Sequence, residues 1–314
     1  MTSRFLVRKL LRLLLTLWAA VTLVFVVLRL SGDPIVALVP ADLPDAILEQ
    51  YRERLGLTGS ILEQYGAYLS GVLRGDFGYS FRTAGPAWDV VASRVPATLL
   101  LGGAAMALAI LVGIPAGIAA AHWHNRAGDR VIMTGAVFGY AMPNFFFGIL
   151  LILLFTLNLQ WLPSGGMGGF SHLIMPTLTL GLASAGAFAR FTRSSLLEVL
   201  GAGYMRTARA KGLSLRRQML VHALRGALVP LTTLLGFTIG ALIAGAVVTE
   251  TVFAWPGVGR LLVVSVSERD LAVVQLIVIL AAATMAFANL AVDLAYGWLD
   301  PRIGQERRSQ RAGP

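Results

Sequence analysis

Residues 97–121 read ATLLLGGAAMALAILVGIPAGIAAA, 25 residues with no ionisable side chain. A helix crossing the hydrocarbon of a bilayer needs about 20 such residues. The stretch therefore predicts a membrane span. Pro115 removes one helix hydrogen bond, but neighbouring helices can satisfy the freed carbonyl. Gly113 and Gly117 lie four apart, a spacing that lets a second helix approach closely. Five further stretches qualify or nearly do: 10–30, 131–159, 173–189, 227–249 and 271–292. Gly135/Gly139 and Gly236/Gly240 repeat the glycine spacing, and Pro143, Pro176 and Pro230 sit in or near the starts of spans. The expectation is a packed all-α bundle of six spans. By these boundaries, spans two to six hold no charged residue in their interiors.

The composition agrees. The 314 residues are 56% hydrophobic and only 13% charged, and the mean hydropathy is +0.73. A soluble domain carries about 25% charged residues. The N-terminus has a basic start and an apolar run, as a signal peptide does. The run is too long and no small-residue cleavage site follows, so it reads as a retained first span. With no cysteine in the chain, thiol and disulfide chemistry are excluded.

The loops split by charge. Residues 1–9, 122–130, 190–226 and 293–314, with Arg12, hold 18 of the 26 basic residues and 5 of the 16 acids. That side carries +13 and the other −3. The positive-inside rule places the basic set, and with it both termini, in the cytoplasm. The chain then divides into a tail and first span (1–30), an extracytoplasmic insert (31–96), a five-span core (97–297) and a cytoplasmic tail (298–314). Two short amphipathic helices are expected in the insert, over 44–57 and 61–75.

Several activities are excluded. No G-x-x-x-x-G-K-[ST] loop exists, and the two lysines, Lys9 and Lys211, follow no such loop, so the chain has no phosphate cradle for hydrolysing ATP. No H-E-x-x-H is present. His122 and His124 are two apart and point to different helix faces, while His172 and His222 are isolated. No catalytic residue and no metal site is assigned.

One cytoplasmic stretch stands out. Residues 204–231, YMRTARAKGLSLRRQMLVHALRGALVPL, hold six basic residues between Arg206 and Arg225 and no acid. It reads as a helix stopped at Gly212, then a second helix with Ser214 as its N-cap. Anionic lipid would attract the charge. Nucleic acid is disfavoured because no aromatic residues interleave the basic ones. A rigid bump of this kind also suits docking by a soluble motor.

That stretch resembles the signature loop of binding-protein-dependent ABC importer permeases. Other segments resemble the dipeptide/oligopeptide/nickel branch of that family: GDFGYSF (75–81), RVPATLLL (94–101), MPTLTLGL (175–182), ARFTRSSLLEVL (189–200), GAVVTETVFAWPGVGRLL (245–262) and NLAVDLAYGWLDPRIG (289–304). Thr207-Ala208-Arg209 stands where Glu-Ala-Ala is common in the wider family. The resemblance implies a type I ABC importer permease fold with six transmembrane helices and cytoplasmic termini, in a bacterial plasma (inner) membrane. It implies a second homologous permease subunit, forming a heterodimer, and one or two ATPase subunits that carry ATP and Mg. It also implies an extracytoplasmic solute-binding protein.

Contacts to the ATPase would come from Tyr204, Arg206, Thr207, Ala208, Arg209, Ala210, Lys211, Gly212 and Leu213. An outer gate or binding-protein contact would come from Glu250, Phe253, Trp255, Pro256, Gly257, Gly259 and Arg260. The implied cargo is a di- or oligopeptide, with nickel, glutathione, an opine or another small solute as alternatives. A channel or facilitator that needs no motor is the competing class.

Overall fold

The computed structural model describes residues 3–30, 47, 59–80, 82–214 and 217–299. The helix expected over 44–57 lies outside these residues, apart from Ile47. The order is α1 (Ser3–Leu30), α2 (Ile61–Arg74), a two-stranded hairpin of β1 (Tyr79–Ser80) and β2 (Gly85–Pro86), α3 (Ala87–Ala92) and α4 (Val95–His122). Next come α5 (Ala127–Ala141) and α6 (Asn144–Leu151), the latter running on as a π-helical stretch, Ile152–Asn158. Then follow α7 (Phe170–Gly201), α8 (Gly203–Ala210), a second π-helical stretch (Gln218–Ala223), α9 (Leu224–Val252), α10 (Val258–Ser267) and α11 (Leu271–Leu299).

Among the described residues, four stretches are long and apolar enough to cross a membrane: Val7–Val27, Ala87–His122, Phe170–Gly201 and Leu271–Ala295. Ala127–Ala141 and Asn144–Asn158 make a fifth if counted as one span, although they are bent by 100°. The bend has a local cause. Met142 is extended (ψ 126°), as a residue before proline prefers, and Pro143 has no N–H to carry the helix on. The remaining expected span falls in α9, where Gly226–Gly240 forms a shorter apolar run.

The bundle is built on the α4–α7 pair, the most extensive helix contact. Ala97, Leu101, Ala105, Ala109, Gly113 and Gly117 recur every four residues along α4 and are all buried. A Cβ on Gly113 would stand 2.6 Å from the Ala185 carbonyl oxygen, and one on Gly117 would stand 2.5 Å from that of Ala189. On the adjoining flank of α7, Gly186 presses the same way against Ala136 of α5, at 2.4 Å. Backbones meet here because side chains are missing.

Further contacts fix the periphery. α1 buries Val21, Val24 and Phe25. Phe25 meets Tyr65 and Tyr68 of α2, and the Thr22 hydroxyl lies 2.7 Å from that of Tyr65. Lys9 pairs with Asp293. The rest of α1, including Leu11, Leu14, Leu15 and Trp18, is exposed, as suits a helix facing acyl chains. α2 starts with a capping box, in which the Ser60 N–H and hydroxyl hold the Glu63 carboxyl below the ordinary carboxylate range. The β1–β2 hairpin is pinned where the Ser80 hydroxyl donates to the Asp270 carboxylate.

The short fourth span, 173–189 with room to continue through Arg190 and Arg193, does continue: α7 runs to Gly201. Arg193 is stabilised inside that helix by a partner in the first turn of α5. Its Nε and Nη2 donate to the two Asp129 carboxylate oxygens at 2.6 and 2.7 Å. Asp129 also accepts from the Asn125 N–H at 2.9 Å and is 3% exposed. Planar two-point pairing of this kind is specific to arginine.

Two predictions follow from this packing. Gly113→Leu or Gly117→Leu should destabilise the purified protein by about 3 kcal/mol. Gly103→Leu should change stability by less than about 0.5 kcal/mol, because a Cβ there meets nothing within 4 Å. Unfolding midpoints in one detergent would compare the three. Asp129→Asn or Arg193→Gln should each cost about 3 kcal/mol by stranding a buried partner. The paired change D129L/R193M should recover most of that loss in the same assay.

Candidate functional site

At one end of the bundle, α7 stops at Gly201 and α8 begins two residues later. α8 is strongly two-faced. Met205 is fully buried, whereas Tyr204, Arg206, Thr207 and Ala210 are exposed and Ala208 is half-buried. Arg209 lies on the helix, with its side chain outside the described set. The helix ends in a left-handed turn. The Lys211 N–H donates to the Thr207 carbonyl, the Leu213 N–H reaches back to that of Ala208, and Gly212 between them has φ +72°. This wide closing bond around a left-handed residue is a common helix stop. Lys211 and Gly212 are exposed and Leu213 half-buried.

The expected second short helix is not separate. From Arg217 the chain is helical through the π stretch into α9 without a break. Pro230 does not stop it, in keeping with the tolerance of proline among packed membrane helices. The Ser214 carbonyl accepts from the Gln218 N–H at 2.9 Å, and the buried Gln218 side-chain amide donates to the Leu213 carbonyl at 2.6 Å. Met219, Ala223 and Ala227 then pack with Leu196 and Ala121 in one buried cluster. α8 is thus a short exposed helix held at both ends by long ones.

At the other end of the bundle, α9 closes in a hook over Phe253–Arg260. Glu250 is fully buried. Its carboxylate accepts from the Thr98 hydroxyl at 2.7 Å and from the Arg260 N–H at 2.9 Å. Thr98 in turn accepts from the Val258 N–H at 2.8 Å, and the Trp255 indole N–H donates to the Ala97 carbonyl at 2.9 Å. The two hook glycines have a steric reason. A Cβ on Gly257 would lie 2.1 Å from the Glu250 carboxylate, and one on Gly259 would lie 2.6 Å from the Val247 backbone. The 159–169 loop is stitched on through the Gly166 N–H, 2.8 Å from the Phe253 carbonyl oxygen.

The hook residues do not line an open surface of this chain. Glu250, Phe253, Trp255, Gly257 and Gly259 are buried, and Pro256 and Arg260 are half-buried. Ala254, the loop residues Trp161 and Met167, and Phe170 at the start of α7 are exposed instead. The sequence reading found the hook but not its partners. A threonine at the start of an apolar span and a Gly-Gly in a loop gave no sign of it. Asp129 and Met205 were missed as well, although a lone acid in a basic loop was a usable signal. Among the described residues, no group of three His, Asp or Glu side chains is placed to hold a metal.

The comparisons agree with this architecture. Residues 113–305 match the family model described as binding-protein-dependent transport system inner membrane component, and residues 2–102 match the N-terminal model of the same system. The chain is 42% identical over 300 residues to the glutathione transport system permease protein GsiC of Escherichia coli K12, covering 95% of this chain and 98% of the relative. The GsiC of Shigella dysenteriae Sd197 gives the same figures. A solved structure of the MetNI methionine ABC transporter, in inward-facing conformations, overlays with a TM-score of 0.54 at 17% identity, covering 67% of this chain and 96% of that one. At that identity the overlay speaks for the fold alone. The chain belongs to the inner-membrane permease family of binding-protein-dependent ABC importers, in its dipeptide/oligopeptide/nickel branch.

Proposed function

We propose that this chain forms one half of the translocation path of an importer for small peptides, with the tripeptide glutathione among its first candidates. The observation that carries the coupling part is α8. It exposes Tyr204, Arg206 and Thr207, buries Met205 and is clamped between two spans. A helix held this way transmits a push without bending. The chain carries no phosphate-binding loop, so the push comes from elsewhere. Its source in this reading is one or two ATPase subunits holding ATP and Mg on the cytoplasmic side. A second homologous permease completes the path, and an extracytoplasmic binding protein delivers the solute. Six spans with both termini inside are the topology this requires, and the charge asymmetry of the loops supports it. Switching between inward- and outward-open states is the work done.

The peptide part draws on the names of the relatives, which are glutathione permeases. Nickel is less favoured, since no metal-binding group occurs among the described residues. Reconstitution of the whole transporter in vesicles tests both parts. ATP-dependent uptake of glutathione or a dipeptide is the expected result. Uptake of nickel alone would replace the substrate, and uptake by this chain without ATPase subunits would favour a facilitator. Gly212→Val places a branched residue at φ +72° and costs roughly 1–2 kcal/mol of local strain. The variant should still insert, yet retain less ATPase on purification and lose most transport.

A further inference from the structure

Arg190 lies inside the α7 span, 20 residues beyond its start at Phe170. At 1.5 Å per residue that is about 30 Å from the outer end. Helical side chains lean towards the N-terminus, so its guanidinium is carried back into the membrane. The contacts agree. Its Cζ lies 5.7 Å from the centre of the Tyr140 ring. Tyr140 sits near the end of α5, where Gly139 faces the Leu182 backbone, about two turns nearer the outer end than Arg190. Three residues later Arg193 is paired with Asp129. Arg190 is exposed and has no carboxylate partner among the described residues.

A second observation concerns the same place. The helix break at Met142–Pro143 begins two residues after Tyr140, and Ala141, Pro143 and Phe145 around it are exposed. Irregular backbone at membrane depth is tolerated only inside protein or against a water-filled cavity. An intramembrane charge obeys the same restriction. The break and the guanidinium are neighbours, and neither is covered by this chain.

We propose that Arg190, steadied by the Tyr140 ring, faces the aqueous path and is an anion-recognising residue that takes a carboxylate of the passing solute. The guanidinium fork matches a carboxylate in two-point geometry. A ring contact orients a cation while leaving its N–H edge free. One such contact per chain binds weakly enough to release, as a conducting path requires. Small peptides fit because their terminal carboxylate is ionised at neutral pH. This substrate class rests on the importer reading above.

The natural chain has no cysteine, so Ala141→Cys supplies a single reporter thiol at the break. It is placed in the assembled transporter and treated with membrane-impermeant methanethiosulfonates, one anionic and one cationic. The expected result is modification from water with a preference for the anionic reagent. That preference should fall by about tenfold on adding Arg190→Gln and survive Arg190→Lys. No modification, or a preference indifferent to residue 190, overturns the proposal. In parallel, uptake of a dipeptide is compared with that of its C-terminal amide. R190Q should lower the acid-to-amide ratio by about tenfold, whereas an equal loss of both would make Arg190 structural only. Should wild type import no peptide while the reagent preference depends on Arg190, the peptide reading fails and the anion site stands. Failure of both R190Q and R190K to assemble would assign Arg190 to the fold and overturn its role in the path.

Discussion

The backbones of α4 and α7 touch along a seam of small residues, and both ends of the molecule hang from that contact. At one end, α4 presents Thr98 and the Ala97 carbonyl to the hook that follows α9. At the other, α7 leads on to α8 and carries Arg193, which holds the start of α5 through Asp129. Gly113 and Gly117 leave no flexible side chain in between. A close-packed interface of this kind has few intermediate arrangements, because small shifts lose contact outright. The two ends are therefore linked by a body that moves as one piece, which is the mechanical requirement for a subunit driven from one side.

Much of this was legible in the sequence. The apolar runs located the helices, the spacing of Gly113 and Gly117 located the seam, though the same spacing at Gly135/Gly139 marks no close approach, and Gly212 located the stop of α8. These signals are local: hydropathy, backbone freedom and steric need are written in neighbouring residues. What was not legible depended on distant partners. Glu250 reads as a polar end to a span until Thr98, 152 positions away, is placed beside it. Ser214 does cap the helix that follows it, accepting from the Arg217 N–H, but that helix runs on into α9, rooted in the Leu196–Met219 cluster.

Charge gave the most instructive difference. Arg190 and Arg193 follow the apolar run 173–189, where long basic side chains commonly reach out of the lipid. Asp129 overrides that for Arg193, since a buried two-point partner is a better environment than headgroup water. Arg190 keeps its position by leaning against Tyr140. A boundary drawn at the first charge was thus a statement about lipid, while the helix ends where the protein stops offering partners.

The π-helical stretch Gln218–Ala223 has a consequence of a different kind. A π turn holds one residue more than the α turn it replaces. The chain therefore stores slack of about one residue between the exposed α8 and the long α9. A single-residue deletion there could be absorbed by reverting to an α turn, with the flanks keeping their rotational phase. Length changes would elsewhere swing a buried face outward by about 100° per residue. Over evolutionary time, this is the place where the connection between α8 and α9 can change length while α9 stays in register.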